Sequence, residues 1–408
     1  MSLVSPSTPV PPVDGAPLDA PGRQRWPWWP LLPLYPYGRR RTLVRELIPG
    51  RIWSFEQLQG VWYVAVPIRM TVVRLQDGLL LYAPVAPTRE VIEQLGSLEG
   101  RYGPVRSIVL PTASGLEHKV PVPAMARAFP EATVWVTPHQ WSFPLRLPSR
   151  WLGFPAQRTR VLFEDGVPHQ DQLDWRALGP LELGLGTFME ATCLDRCSGS
   201  LLVTDALVSI PGTPPELFEL DPTPLLFHGR DRGDEPLSDT PARRNIGWKR
   251  IVLFASYLRP RTLEVPPLAE ILRHSFAPCC RQARSHFGLY PFRWQPGWQQ
   301  EFDQLVGSDR QAGQPKLPTV LERLVFPRQR QAVSAWLRSL CQWREIRWLV
   351  PAHFDAPISI TADRLHELAE EVEARPWASD DGSWATLAGI DRTLLKFGLV
   401  PSDPSPSS

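Results

Sequence analysis

Three observations in the sequence predict an α/β fold. Short β-branched and aromatic runs open the ordered chain, strand and helix patterns alternate from about residue 79 to 138, and two late amphipathic helices flank a further strand. At 408 residues the chain is long enough for one large domain with an insertion or for two ordinary domains. The expected division is a disordered Pro/Trp-rich arm over 1–42, a domain over 43–376 with an insertion at about 206–316, and a C-terminal segment with a disordered tail over 377–408.

Residues 1–22 are rich in Pro, Ser and Ala and offer little to bury, so they read as disordered. WPWWPLLPLYPYGRRR, Trp26 to Arg41, follows. It reads either as a peripheral anchor, with Trp and Tyr at lipid headgroups and the arginines on anionic lipid, or as a polyproline-like arm packed on its own domain or on a protein partner. Its prolines rule out an amphipathic helix.

GVWYVAVPI, MTVVRLQDG and LLLYAPV read as strands, with a turn at Gln76, Asp77 and Gly78. Thr88 caps a helix, REVIEQLGSL, whose Val91, Ile92 and Leu95 form one stripe. The strand SIVL, Ser107 to Leu110, opens into the loop LPTASGLEHKV. A short helix over 122–129 and the strand TVWVTP come next. At the carboxyl end of that strand, where open α/β sheets place ligands, stand the binding candidates His139, Gln140 and Trp141.

A loop-rich stretch to about Gly179 is expected, then strands LELGLG, MEATCLDR and SLLVTD up to Asp205. RRNIGWKRIVLFASYLRPR is the strongest helical run, and its Arg243, Arg244, Lys249 and Arg250 read as a solvated face. RQRQAVSAWLRSLCQW and TADRLHELAEEVEA each carry an apolar stripe, and EIRWLVPAHFDAP between them is a short strand leading to His353.

Composition narrows the function. With 44 basic and 42 acidic residues the net charge is +2, so no bulk field favours nucleic acid. No run approaches the ~18 apolar residues of a membrane span, and the start lacks the order of a secretory signal. A soluble cytoplasmic protein is expected. Five scattered cysteines give neither a disulfide framework nor a paired zinc motif; Cys193 and Cys197 are expected on one face of a strand, and Cys279 and Cys280 are adjacent.

Four residues follow apolar strands closely: Glu117 and His118 after SIVL, Asp205 after SLLV, and His353 after WLVP. Strand ends on one sheet edge converge, and two nitrogens with two oxygens suit one divalent ion, Zn, Fe or Mn. The competing reading makes His118 a satisfied loop histidine, His353 a strand-end donor and Asp205 a turn cap. His228 and Asp231 are second-rank candidates.

LPTASGLEHKV also resembles the loop of metallo-β-lactamase-fold hydrolases, whose pattern is HxHxDH. Ala113 and Gly115 stand at its first two histidines, Glu117 and His118 at its last two positions. The order carboxylate, His, Asp, His is that of the second metal site in those enzymes. The resemblance implies a four-layer αβ/βα sandwich and a reduced, mononuclear site, since no His lies between His169 and His228 to complete the first one; Glu190, in the strand MEATCLDR, is a carboxylate placed to approach, but its spacing to Asp205 is short for the role. It also implies a metal-dependent hydrolase acting on a small molecule, with Asp205 orienting the attacking water or taking its proton.

Longer strings carry a second resemblance. VAVPIRMTVVRL, GLEHK, QWSFP, LLVTDALVSIP, PLLFH, GWKRIVLF, GLYPFRW and HFDAP, spread over about 49–358, resemble the domain of unknown function 4336 family of cyanobacteria and plant plastids. That family is regarded as a divergent metallo-β-lactamase-like group, and its distribution implies a phototroph source. The rival function is a non-catalytic binding or assembly protein that keeps the fold without the chemistry. The missing ligands at Ala113 and Gly115 and the aromatic arm support it.

Overall fold

The computed structural model describes residues 21–140, 147–184, 186–277, 286, 288–307, 313–374 and 382–401. Trp141, Cys279, Cys280, residues 1–20 of the expected disordered arm and residues 402–408 of the expected tail lie outside them.

Strands β1 (Leu43–Ile48), β2 (Ile52–Val61) and β3 (Val64–Arg74) form an antiparallel meander, which β4 (Leu79–Tyr82) continues. The turn before β4 uses Gly78 because a Cβ there would lie 2.1 Å from the Pro104 carbonyl oxygen. From β4 the sheet becomes parallel through β5 (Val105–Leu110), β6 (Thr133–Val136) and β7 (Thr159–Val161), giving seven strands in sequential order. Helix α1 (Arg89–Tyr102) makes the first crossover; the Thr88 hydroxyl accepts the Val91 N–H at its start, and Val91, Leu95 and Leu98 are buried. The second crossover holds α2 (Leu116–Lys119) and α3 (Val122–Ala128).

A second sheet follows. β8 (Leu173–Glu182), β9 (Thr187–Asp195) and β10 (Ser200–Val203) are antiparallel. The chain then leaves for α4 (Leu217–Leu220), α5 (Thr223–His228), α6 (Pro241–Tyr257), the small ladder β11 (Leu263–Glu264) with α7 (Leu268–Ser275) and β12 (Arg293–Trp294), and α8 (Trp298–Val306). It returns through α9 (Thr319–Leu324) and α10 (Arg330–Leu340) to β13 (Trp348–Pro351), which pairs parallel with β10. β14 (Ile358–Ser359), α11 (Ala362–Ala374) and α12 (Ala385–Lys396) complete the chain, and the sheet order is β14-β13-β10-β9-β8.

The period of two along each strand produces the layers. Leu79 and Leu81 pack outward with Val91, Leu95 and Met125 of α1 and α3, while Leu80 and Tyr82 pack inward with Leu202 and Val350 of the second sheet. Leu201 and Leu349 face the other way, onto Val333, Leu337, Leu365 and Leu368 of α10 and α11. The result is helices, sheet, sheet and helices, the four-layer αβ/βα sandwich. The excursion has its own core around Trp248, Phe227 and Phe302.

Three local expectations differ from the structure. β8 begins at Leu173, inside the stretch read as loop, because it is an edge strand whose residues are mostly half-buried and carry no clean alternation. Residues 22–42 of the arm are ordered against the domain rather than disordered. Trp26 and Tyr35 are 3% and 7% exposed, Arg23 pairs with Glu93, and the Tyr35 hydroxyl donates to Asp221. Cys193 is buried in β9, but Cys197 lies past its end and is exposed, so the two do not share a strand face.

Candidate metal centre

Register brings two of the four residues together. Val203 of β10 stands opposite Pro351 of β13 in a parallel pair, so Asp205 and His353, each two residues further on, leave the sheet side by side. The Asp205 Oδ1 and His353 Nε2 atoms are 3.0 Å apart. The other two residues come from the first sheet. After β5 the chain is clipped to β9 by Ala191 N–H on the Pro111 carbonyl (2.7 Å) and Ala113 N–H on that of Met189 (2.9 Å). Helix α2 then presents Glu117, whose Oε1 is 3.8 Å from His353 Nε2, and His118. Ligand atoms of Glu117, His118 and His353 all lie within 4.8 Å of one another.

Both imidazoles face the centre with the same nitrogen. His118 Nδ1 is 3.1 Å from the Pro84 carbonyl oxygen and His353 Nδ1 is 3.3 Å from that of Pro67. A carbonyl only accepts, so each Nδ1 carries a proton; this leaves His118 Nε2 with a lone pair, while His353 Nε2 donates to Asp205 Oδ1 and would give up that proton to a metal ion. His118 Nε2 is buried with no hydrogen-bond partner among the described residues. A buried lone pair without a partner is costly in a purely structural histidine and is what a metal ligand requires. The donor set therefore fits a divalent ion.

The electrostatics follow from crowding. Burial, helped by the neighbouring His353, pushes His118 down to about 4. Burial and the Asp205 charge push the Glu117 carboxyl up to about 7. Burial acts against ionised Asp205 as well, yet the hydrogen bond and charge of His353 hold its carboxyl below the usual range. His353 is the converse: burial opposes its protonation, and Asp205 and Glu117 raise it above the ordinary imidazole value.

Gly115 decides the fate of the absent histidines. A Cβ there would lie 2.5 Å from Thr112 Cγ2 and 2.9 Å from Glu117 Oε1. The Glu117 carboxylate fills the space a side chain at 115 would need, and Ala113 is fully buried.

Sequence reasoning named Glu190 as a carboxylate near the site but missed its role, and that of Arg69, in holding these four in place. Glu190 is fully buried, and its two carboxylate oxygens accept the N–H groups of Thr204 (2.7 Å), Asp205 (2.8 Å) and Ala206 (2.9 Å), so it shapes the turn carrying Asp205. Arg69 donates to the Pro351 and Phe354 carbonyls on either side of His353, at 2.5 and 2.6 Å, and to Glu56 at 3.0 Å. Phe354 adopts φ +60°, a left-handed backbone that a bulky residue takes only when its surroundings impose it. The available signal was a single charge inside each of two otherwise apolar strands, MEATC and VAVPIRMTVV.

His139 is exposed, and the Gln140 amide is spent on Thr137 and the Thr112 carbonyl, bracing the loop after β5. The basic face of α6 is ion-paired rather than merely solvated: Arg243 and Arg250 with Asp231, Arg244 with Asp239 and Glu219, Lys249 with Asp303. His228 lies in the core of the excursion, its Nε2 3.2 Å from the Trp62 carbonyl oxygen.

Burial pushes His228 down to about 3. Below the unfolded value of ~6.5 the unfolded chain binds a proton that the fold refuses, so stability falls as pH drops from ~6.5, by about 1.4 kcal/mol per unit for one such group. Urea unfolding at pH 7 and pH 5 should therefore show a smaller acid loss in His228→Gln than in the wild type. Equal losses would remove His228 from the cause.

A cavity of about 530 Å³ opens beside the cluster, with Glu117, Asp205 and His353 in its wall. The remaining wall comes largely from apolar side chains of β9, α9, α12 and the loop after β13.

The sequence profile of the family described as "Domain of unknown function (DUF4336)" matches residues 49–370. Among solved structures the chain is similar to a metallo-beta-lactamase from Pontibacter korlensis, with 11% identity over 81% of this chain and 99% of that one, at a TM-score of 0.39. It is similar to the metallo-beta-lactamase FIM-1 from Pseudomonas aeruginosa in its mono-zinc form, with 10% identity over 82% and 97% of the chains and a TM-score of 0.34. A metal-soaked Flv1 flavodiiron core from Synechocystis sp. PCC6803 is similar at 10% identity over 82% and 61% of the chains, with a TM-score of 0.35. No curated protein sequence matches the chain.

Proposed function

The chain belongs to the domain of unknown function 4336 family, and from that premise we propose that it is a metal-dependent hydrolase-like protein holding one divalent ion on Glu117, His118, Asp205 and His353. One observation carries the reading: a buried His118 Nε2 without a hydrogen-bond partner, within 4.8 Å of ligand atoms from Glu117 and His353. Zinc, iron and manganese all accept two nitrogens with two oxygens. A bound ion of this kind supplies Lewis acidity toward an ester, amide or phosphoryl oxygen and acidifies water at neutral pH. Asp205, kept ionised by His353, orients water by accepting its hydrogen bond or takes its proton. Pro84 and Pro67 fix the tautomers of the two imidazoles, and Arg69 and Glu190 fix the backbone that carries His353 and Asp205.

The test is metal content by mass spectrometry after growth with zinc, iron and manganese supplied. About one equivalent is expected in the wild type, falling to about a tenth or less in His118→Ala and His353→Ala. Metal-free wild type, or unchanged content in both variants, would sink the reading.

A second reading, a non-catalytic assembly or membrane-peripheral protein, draws on Trp28, Trp29 and Leu31 of the arm, which stay 47%, 37% and 68% exposed. Among the described residues no helix is long and apolar enough to cross a membrane. Loss of binding to anionic vesicles on changing all three to Ser, with binding kept in His118→Ala, would favour it.

A further inference from the structure

The cavity beside the cluster has a chemistry of its own. Leu183, Phe188, Val208, Leu321, Leu324 and Phe354 are among the apolar side chains in its wall. Glu117, Asp205 and His353 are its charged or titratable members, and among the described residues no Lys or Arg lines it. Its volume of about 530 Å³ lies within the usual ~300–1,000 Å³ of small-molecule sites. A nucleotide, sugar phosphate or other polyanion would meet two carboxylates and a greasy wall without Lys or Arg, so beyond the ion and His353 at the cluster no cation of the wall pairs with its charges. An apolar chain would instead displace water from surface that gains by losing it.

We infer that this cavity is an acyl-chain site, and that the substrate is a neutral ester or amide whose apolar acyl group lies in it with the carbonyl toward Glu117, Asp205 and His353. The assignment rests on the hydrolase reading for its chemistry and on the cavity wall for its ligand. In the hydrolysis, the oxygen of a water molecule bonds to the acyl carbon and the ester C–O or amide C–N bond breaks. The departing alcohol or amine retains the bond's electron pair and takes up a proton, so no oxidant or reductant enters.

Part of the wall lies beyond the family-matched residues 49–370: Leu394 of α12 and Val400. Helix α12 is fastened by Asp391, 5% exposed, to Arg328 and Arg323, which are 4% and 5% exposed. The C-terminal segment is therefore a built wall of the site.

The experiment is displacement of the neutral dye Nile red from the full chain by N-methyl amides of the straight-chain acids from butanoic to dodecanoic, before and after removal of metal with a chelator. Displacement should tighten about fourfold per added methylene until the cavity is filled. Leu321→Gln and Leu394→Gln, both half-buried in the native fold, should each weaken the longest amides about tenfold or more and the butanamide little. Displacement independent of chain length, or unchanged in both variants, overturns the acyl-chain site. The same length dependence in protein that never held metal supports the site while removing the metal reading, so the two fail separately.

Discussion

Replacing Glu56 by leucine is expected to lower the free energy of unfolding by about 3–5 kcal/mol, because it leaves a buried arginine without its carboxylate. Glu56 and Arg69 are each 1% exposed, on neighbouring strands β2 and β3. The Glu56 carboxylate also takes Arg45 at 2.5 Å and the Ser54 hydroxyl at 2.9 Å. Arg69 spends its remaining donors on the Pro351 and Phe354 carbonyls, so the pair ties the first sheet to the loop bearing His353.

Two further results would follow from pairing as the cause. The double variant Glu56→Leu, Arg69→Met should be more stable than Glu56→Leu alone, by about 1 kcal/mol or more, since the unpaired charge is gone. The second concerns acid. Burial would raise the Glu56 carboxyl, but the Arg69 and Arg45 charges hold it below its usual value. Its contribution is therefore complete above the unfolded value of ~4.3 and lost as pH falls through the lower folded value. Wild-type stability should drop in that acid window more steeply than that of Glu56→Leu in urea titrations. A double variant as unstable as the single one would show that something other than the ion pair is being lost.

Replacing Glu190 by alanine is the second large effect, and it separates a ligand from a brace. Three N–H groups would lose their acceptor at once, at about 1–3 kcal/mol each before water enters, so a loss on the order of 3–5 kcal/mol is expected. The Glu190 carboxyl is pushed up to about 7 by burial and by the Asp205 charge, a cost of placing it there that the three bonds offset. Because those bonds set the turn that carries Asp205, metal affinity should also fall, by about 10- to 100-fold. Glu190→Gln, which keeps one oxygen, should fall between wild type and alanine in both unfolding and metal titration. Alanine-variant protein with unchanged unfolding and unchanged metal affinity would refute the bracing role.

Much of the fold was legible because its elements announce themselves locally. The Thr88 cap and the stripe of Val91 and Leu95 mark α1, and the stripes of α10 and α11 mark the outer helix layer. The strands SIVL, SLLV and WLVP are apolar on both faces, as strands between two layers must be, so the polar residues just past their ends stood out. That is why Glu117, His118, Asp205 and His353 could be singled out; the structure gathers ligand atoms of Glu117, His118 and His353 within 4.8 Å of one another, with Asp205 3.0 Å from His353. The edge strand β8 escaped because its half-buried residues carry no strong period.

By itself the sequence determined which segments are strands and helices and which polar residues stand at the strand ends, since both depend on neighbours within a few positions. Only the tertiary structure decided what Glu190 and Arg69 do, that Glu117 fills the space denied to a side chain at Gly115, and that α9 and α12 close an apolar cavity beside the site. The physical reason is that a buried charge or an apolar wall takes its meaning from partners far along the chain, up to 285 residues away for Arg69 and Phe354. Those partners are fixed by sheet register and layer packing, which local patterns do not encode.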